Sequence, residues 1–313
     1  MTTASVTIRI RGIDVRVPGV HAGCYTVVST GRFPRIAQLF DEELVERANH
    51  PDLPEALATI RDHRLSADLY TFARPFGSHP PPQLPHPSVV DNLAVVSTRS
   101  FEDWWRSLPQ ESRKNTRLAA KRGVTIGPAR FDDPLVCGIK DIYDEMPVRQ
   151  GRRFWHYMQP LERVRTLNAT YPDRSHFIGA WLEGELIGFI KYITVDTTAM
   201  MIQILAMERH RDKKALNAML AHAVQACEAQ GLEHLVYGKF DYGVNHNSSL
   251  TEFKRRNGFR ELSYPRYYVA LNPIGRVALA AGLHRGGLSL VPPAARTFLH
   301  HMRARVVRVI APR

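Results

Sequence analysis

The stretch Asp144-Glu145-Met146-Pro147-Val148-Arg149-Gln150-Gly151-Arg152-Arg153-Phe154-Trp155-His156-Tyr157 packs two acids, three arginines, a histidine and three aromatic residues into fourteen positions. A carboxylate such as Glu145 can act as general base toward an attacking amine. Arg149, Arg152 and Arg153 can hold an anionic acceptor through forked hydrogen bonds, with Trp155 and His156 beside them. The same content also suits a capped helix end above a packed aromatic cluster. A second group, Asp241, Tyr242, Asn245 and Asn247, follows an apolar run at Leu232–Lys239. If that run is a strand, the group lies at its C-terminal end, where sites of open α/β sheets collect. Tyr242 can give a proton to a leaving group, although a turn built from Asp, Gly and Asn explains most of these residues equally well. A third group, Arg209, Arg211, Lys213 and Lys214, stands before a long helical pattern and can meet phosphate with side chains or form a solvated, basic helix start.

Other chemistries lack their residues. The histidines show no HExxH and no Cys/His spacing of a zinc site, and His300 and His301 are adjacent and diverge on a helix. GxSxG, the P-loop and GxGxxG do not occur. Cys24, Cys137 and Cys227 are far apart, which suits a reducing compartment.

The elements that must position these groups follow from periodicity and breakers. The pattern predicts strands at Val6–Ile10, Asp14–Val17 and Cys24–Ser29, then helices at Pro34–Arg47 and Pro54–Arg64. Arg74–Ser88 contains Pro75, Pro80, Pro81, Pro82, Pro85 and Pro87 and is read as an extended connector. Beyond it come a strand at Val89–Ser97, a helix from Phe101 capped by Ser100 and interrupted at Pro109, a short strand at Val124–Ile126 and a helix at Asp133–Glu145. Three strands follow, His176–Leu182, Leu186–Val195 and Thr198–Met207, then a helix at Lys213–Gln230 closed by Gly231. A strand at Leu232–Lys239, a helix at Ser249–Arg256 and a strand at Phe259–Leu271 complete the order. This divides the chain into a smaller N-terminal α/β region (1–73), the connector (74–88), a main domain (89–271) and a basic helical tail (272–313).

The chain has 313 residues, 44% hydrophobic and 23% charged, with a net charge of +12. It is long enough for about two domains and excludes a collagen, a coiled coil or a disulfide knot. The positive charge favours anionic partners: nucleic acid, phosphate-bearing ligands or acidic headgroups. Seven arginines and no acid lie between Asn272 and Arg313, with Phe298, Leu299, Met302, Val306 and Val309 on one stripe. Such a helix packs on its own domain or lies on anionic lipid or RNA. Arg113, Arg117 and Lys121 stand four apart on another helix face, as in phosphate tracking, without interleaved aromatics. With no basic and apolar leader and no long apolar run, a cytoplasmic location is expected.

Three pieces of the main domain resemble the FemAB-like branch of the GNAT acyltransferase superfamily. They are Arg113–Val124, a basic helix running into Lys/Arg-Gly-Val; Phe177-Ile178-Gly179-Ala180 through Leu186-Ile187-Gly188-Phe189; and Leu250-Thr251-Glu252-Phe253-Lys254-Arg255-Arg256-Asn257-Gly258, similar to Leu-x-x-Phe-Lys-x-x-x-Gly. The resemblance spans roughly Val89 to Ala270. It implies an α/β (α+β) fold with a mixed, mostly antiparallel sheet flanked by helices, and two GNAT-like halves, the first degraded. It implies N-acyl transfer from an activated donor, aminoacyl-tRNA or acyl-CoA, to an amine on a small molecule or peptide, with no tightly bound cofactor. By fold analogy the backbone near Gln203 to Ala206, including Leu205, would polarise the carbonyl. Lys254 matches the family lysine and would steady negative charge at the donor end. Acetyl-CoA enzymes carry Arg-x-x-Gly-x-Gly, whereas Arg211-Asp212-Lys213-Lys214-Ala215-Leu216 has Lys214 and Leu216 in place of both glycines. That departure speaks for aminoacyl-tRNA, with tRNA as a partner. The alternatives are an acetyl-CoA enzyme with a remodelled phosphate loop and a non-catalytic RNA- or lipid-binding module.

Overall fold

The computed structural model describes residues 4–10, 12–76, 84–149, 151–242 and 248–285. Among them the chain separates into two compact units. One contains the residues up to Asn92 and those from Ser263 on, and the other contains Leu93–Leu262. This differs from the predicted boundary at the proline-rich connector and from a main domain running to residue 271. The physical reason is strand pairing, because Arg266–Ala270 lie opposite Leu69–Ala73 and so belong with the N-terminal elements.

In the first unit, β1 (Ser5–Ile10), β2 (Ile13–Ala22), β3 (Tyr25–Thr30) and β4 (Ile36–Leu39) form an antiparallel ribbon. Helix α1 (Leu53–Asp62) starts at Asp52, whose side chain accepts from the Glu55 amide at 2.8 Å, and leads to β5 (Leu69–Ala73), parallel to β4. The helix predicted at Pro34–Arg47 is absent. Ile36–Leu39 is a strand, followed by short 3₁₀ turns at Glu42–Leu44 and Arg47–Asn49. Ala37 and Leu39 are buried while β4 pairs with β3 and β5, so ladder bonds and burial outweigh the local helical spacing.

Strand β6 (Ser88–Ser97) carries the chain into the second unit. There follow α2 (Phe101–Ser107), α3 (Gln110–Lys121), β7 (Thr125–Ala129) and α4 (Asp133–Asp144). Ser100 caps α2 by accepting from the Asp103 amide at 3.2 Å, and Pro109 separates the two helices as expected. Two elements went unpredicted: a hairpin of β8 (Val148–Arg149) and β9 (Arg152–Arg153), and α5 (Leu161–Asn168). Then come β10 (Ser175–Leu182), β11 (Glu185–Val195), β12 (Thr198–Ala206), α6 (Ala215–Ala229), β13 (His234–Val236) and α7 (Ser249–Arg256). The strand predicted at Leu232–Lys239 is thus three residues long. Strand β14 (Arg260–Ala270) and α8 (Pro273–Ala280) return to the first unit. Of the basic helical tail expected over 272–313, α8 and a short 3₁₀ turn at Leu283–Arg285 are described, and the apolar stripe from Phe298 to Val309 lies outside the described residues.

The sheet of the second unit runs β6-β13-β12-β11-β10-β7. On one face Trp104, Ala119, Met219 and Val224 pack on Ile190 and Ile204. On the other, Val136, Ile139, Tyr143 and Val164 pack on Phe177 and Phe189. The connectivity is a three-stranded meander (β10-β11-β12), a helix (α6), a strand parallel to the third (β13), and an antiparallel neighbour (β6). The first unit repeats that plan with β2-β3-β4, α1, β5 and β14. Two halves of one plan are therefore present, and they differ between the parallel strands. In the first unit Glu42 reaches across, accepting from the Ala73 amide at 2.9 Å and pairing with Arg266 at 2.9 Å, while Tyr70, Phe72 and Tyr267 stack beside them.

The glycine of the third family-like piece has a local cause. Gly258 follows α7 with φ of +82°, and a Cβ there would lie 2.8 Å from Trp104 Nε1, itself bonded to Asn257 O. Gly258→Ala is expected to destabilise the second unit by about 1–3 kcal/mol, read as a lower urea midpoint.

Candidate active site

Strands β12 and β13 run side by side for three residues only: Thr198 opposite His234, Ala199 opposite Leu235 and Met200 opposite Val236. Immediately beyond, β12 contains an extra residue. Its register against β11 steps from Met201–Tyr192 to Gln203–Lys191, so Ile202 is bulged and exposed. A bulge bends its strand and sharpens the twist. From Met201 to Ala206, β12 keeps β11 on one edge and has no strand on the other among the described residues. The two central strands therefore part and leave a wedge floored by backbone.

On the β13 side, α7 packs against the segment that follows that strand. The helix cap, Ser248, accepts from the Thr251 amide at 3.1 Å, and the helix buries Thr251 and Lys254. Lys254 Nζ donates to Lys239 O at 2.6 Å, just past β13, and lies 4.4 Å and 5.3 Å from the ring centroids of Tyr237 and Tyr242. The side chain is fully buried, and desolvation lowers its pKa to about 8. Burial raises the Tyr242 pKa, which keeps the phenol protonated at neutral pH. Asp241 adjoins it, whereas Asn245 and Asn247 lie outside the described residues.

At the end of β12 the geometry corrects one assignment. Glu145 sits at the C-terminus of α4, with Oε2 accepting from the Glu208 amide at 2.7 Å and Oε1 from the Arg209 amide at 2.9 Å. Arg149 lies 3.4 Å from the same carboxylate and donates to Ala206 O at 3.0 Å and Ile142 O at 2.8 Å. Both oxygens of Glu145 are spent on holding the turn after β12. It is a positioning residue, and the expected general base is not placed there. Arg149 is likewise a strut at the strand end. Arg152 and Arg153 are exposed on the hairpin.

Gln203 faces α4. Its Oε1 accepts from Tyr143 at 2.6 Å and its Nε2 lies 3.3 Å from His156 Nε2, and the buried His156 ring is stacked against Trp155 at 3.6 Å. Asn168 Nδ2 is 3.4 Å from the Tyr143 hydroxyl, and the Asn168 carbonyl accepts from Lys191 at 2.8 Å. Lys191 is buried, with further bonds to Thr170 O and Oγ1, and its pKa also falls to about 8. Leu205 packs on this face too. The apolar spacing of α4 places Tyr143 inside, but nothing in the sequence flags its hydroxyl as a partner of Gln203.

The loop into α6 takes a 3₁₀ path over Glu208–Lys213, and Lys214 adopts the left-handed conformation at φ 60°, ψ 29°. That is the backbone a glycine supplies without strain. The loop shape is kept while a Cβ stands where the family has none. No side chain caps α6. Arg211 pairs with Glu208 at 3.0 Å, Lys213 lies 3.7 Å from Asp212, and Arg122 from the end of α3 donates to Asp212 O. At the other end of α3, Ser112 Oγ donates to Arg256 O at 2.7 Å. The exposed Arg117 and Lys121 therefore lie along a basic face between α7 and the loop. Arg117 stands 5.3 Å over Trp105, an aromatic partner that the helix spacing alone did not reveal.

The comparisons accord with this geometry. Residues 139–259 match the model of the Acetyltransferase (GNAT) family, so this part of the chain is a GNAT domain and its class is acyltransferase. Solved structures share the architecture of nearly the whole chain. FemX is similar with a TM-score of 0.58 at 10% identity, over 89% of this chain and 90% of that one. L-PGS from Bacillus licheniformis gives 0.51 at 11% identity, over 83% and 86%. A C-terminal domain named for lysylphosphatidylglycerol synthetase, from Agrobacterium fabrum, gives 0.51 at 14% identity, over 85% and 88%. At such identities the likeness is one of fold, and it bears out the expected GNAT, FemAB-like architecture. No curated protein sequence matches the chain. No helix among the described residues is long and apolar enough to cross a membrane.

Two outcomes follow. In Glu145→Gln the turn loses its carboxylate, and hydrogen exchange at the Glu208 and Arg209 amides should accelerate roughly tenfold or more, in line with about 1–3 kcal/mol for a charged hydrogen-bond partner. The depressed pKa values of Lys191 and Lys254 have a sign in stability. Above about pH 8 the folded lysines release protons that the unfolded chain still binds, so stability rises with pH. Cys227 and the buried Tyr143 and Tyr192, all raised to about 12, oppose the rise at higher pH. Chemical denaturation should show a midpoint that climbs from pH 7.5 to 9 and then turns over.

Proposed function

We propose that this protein transfers an aminoacyl group from aminoacyl-tRNA to an amine of a small molecule or peptide, with the wedge between β12 and β13 as the reaction site. The carrying observation is the early end of strand pairing at Met200–Val236, with buried Lys254 bonded to the segment just past β13. In acyl transfer a neutral amine attacks the donor carbonyl, negative charge collects on the carbonyl oxygen, the ester C–O bond to the ribose breaks, and the proton given up by the amine nitrogen is passed through the Tyr242 phenol to the leaving ribose hydroxyl. The unpaired edge of β12 supplies backbone donors for the oxygen. The Lys254 ammonium steadies charge at the donor end, and the Tyr242 phenol is the proton donor to the leaving group. Gln203, held by Tyr143 and His156, fixes the bulged strand in register.

The donor assignment rests on the loop before α6. Lys214 and Leu216 leave no glycine where a pyrophosphate would approach the backbone, and Glu145 already holds two amides of the turn. The basic face of α3 suits a polyanion. FemX and the lysylphosphatidylglycerol synthetase domain share the fold and support this direction. A second reading, acyl-CoA as donor, is favoured by the retained left-handed turn at Lys214 and the uncapped start of α6.

Isothermal titration separates the two. Aminoacyl-tRNA binding that weakens when the aminoacyl group is removed supports the proposal, and micromolar binding of acetyl-CoA with indifference to tRNA overturns it. Lys254→Met should lower turnover by more than roughly tenfold while the fold persists. In the unsubstituted protein, turnover should decline above about pH 8 as Lys254 loses its charge, and that limb should be missing from the residual activity of the variant.

A further inference from the structure

One end of the first unit combines exposed apolar side chains with unbalanced positive charge. Strand β3 ends at Thr30 and β4 starts at Ile36, beside the start of β5 at Leu69 and the end of β14 at Ala270, so turn 31–35 and α8 emerge at the same end. Asp68 ties them together, accepting from the Arg35 amide at 2.8 Å and from Asn272 Nδ2 at 3.1 Å. Helix α8 is seated closely on this junction: a Cβ on Gly275 would fall 2.0 Å from Asp68 O. The β1–β2 ribbon leaves its pairing with β3 at Gly19 and continues past the end of β3 to the pair Ile10–Ile13.

From this end project Phe33 and Val277, 65% and 64% exposed, together with Ile274, Ile10 and Ile13. Only Leu84 and Val90 are comparably exposed large apolar residues elsewhere among the described residues of the unit. Ile274 and Val277 are three apart on the outer side of α8, whose inner side buries Gly275 and Ala278. The charges there are mostly arginine: Arg32 and Arg276, with Arg35, and Arg61 and Arg64 at the end of α1. Of the acids, Asp68 is buried and bonded, Asp14 pairs with Arg9 at 2.8 Å, and Asp62 remains. Arg285, just after α8, is the last described residue.

An aromatic and aliphatic rim with arginines among it is the chemistry of a lipid interface. The apolar side chains enter at headgroup depth while the guanidinium groups pair with lipid phosphates. We infer that this end of the first unit docks on an anionic bilayer surface, with Phe33, Ile274 and Val277 as its apolar anchors and Arg32 and Arg276 as phosphate contacts. The proposal is independent of the donor and acceptor proposed above. A bilayer is favoured over a second copy of the chain because the face carries an excess of one charge sign, which a two-fold self-contact would set against itself.

The test uses the full chain and sedimentation with phosphatidylcholine vesicles, with and without phosphatidylglycerol. Binding to the anionic vesicles only, weakened by salt, is expected. The doubly substituted Phe33→Ser/Val277→Ser protein and Arg32→Ala/Arg276→Ala should each lose affinity by roughly tenfold, with circular dichroism unchanged. Equal binding to both vesicle types, or none, overturns the proposal. So does unaltered binding by Phe33→Ser/Val277→Ser when neutralising Arg303, Arg305 and Arg308 abolishes it, since the remainder of the C-terminal segment then suffices. A dimer in solution that Phe33→Ser dissociates would assign the face to self-association and overturn it as well.

Discussion

Two parallel strands can stay bonded only while their repeats match. In the second unit the match ends where β12 takes on an extra residue at Ile202, while β13 ends at Val236. The proposed reaction site depends on this mismatch, because main-chain donors that would otherwise be consumed in a ladder have no strand partner among the described residues and can meet a ligand. The neighbouring structure keeps the strands from closing again. Arg149 holds the end of β12 at Ala206, Glu145 fixes the turn beyond it, and Gln203 is held from the opposite face by Tyr143. The segment after β13 is secured by Lys254 through the Lys239 carbonyl.

The energetics are uneven across that site. Lys191 and Lys254 are buried cations bonded to neutral oxygens, with no carboxylate among their hydrogen-bond acceptors in the described residues. Burying charge without a counter-charge is unfavourable, and both pKa values fall accordingly. Such groups weaken the fold at neutral pH in exchange for a charge held at a defined point. Glu145 and Arg149 follow the opposite logic: both carboxylate oxygens and both terminal guanidinium nitrogens are bonded, and they hold backbone in place.

Much of the fold was legible in the sequence. The meander from Ser175 to Ala206, the long helix α6 and the Ser100-capped α2 with α3 after Pro109 follow from alternation, period and breakers, because each carries its own local signal. Ile36–Leu39 was misread because its strand state comes from neighbours on both sides that local spacing cannot reveal. The site was legible in part. The residues around 145–156 and Lys254 do gather near the parting strands, but Glu145 changes role. A carboxylate that neutralises two amides looks the same in sequence as one poised to take a proton. The Tyr143–Gln203–His156 chain was hidden for a related reason, since its members are sixty and forty-seven positions from Gln203.

The first unit repeats the plan of the second with its gap filled. There Glu42 bonds the Ala73 amide and is neutralised by Arg266, which also reaches Asp91 at 3.4 Å. Enlarging that gap would part a half-buried guanidinium from its two carboxylates before making room for any ligand. The duplicated half thus commits to an internal ion pair the strand edge that the second unit leaves open among the described residues.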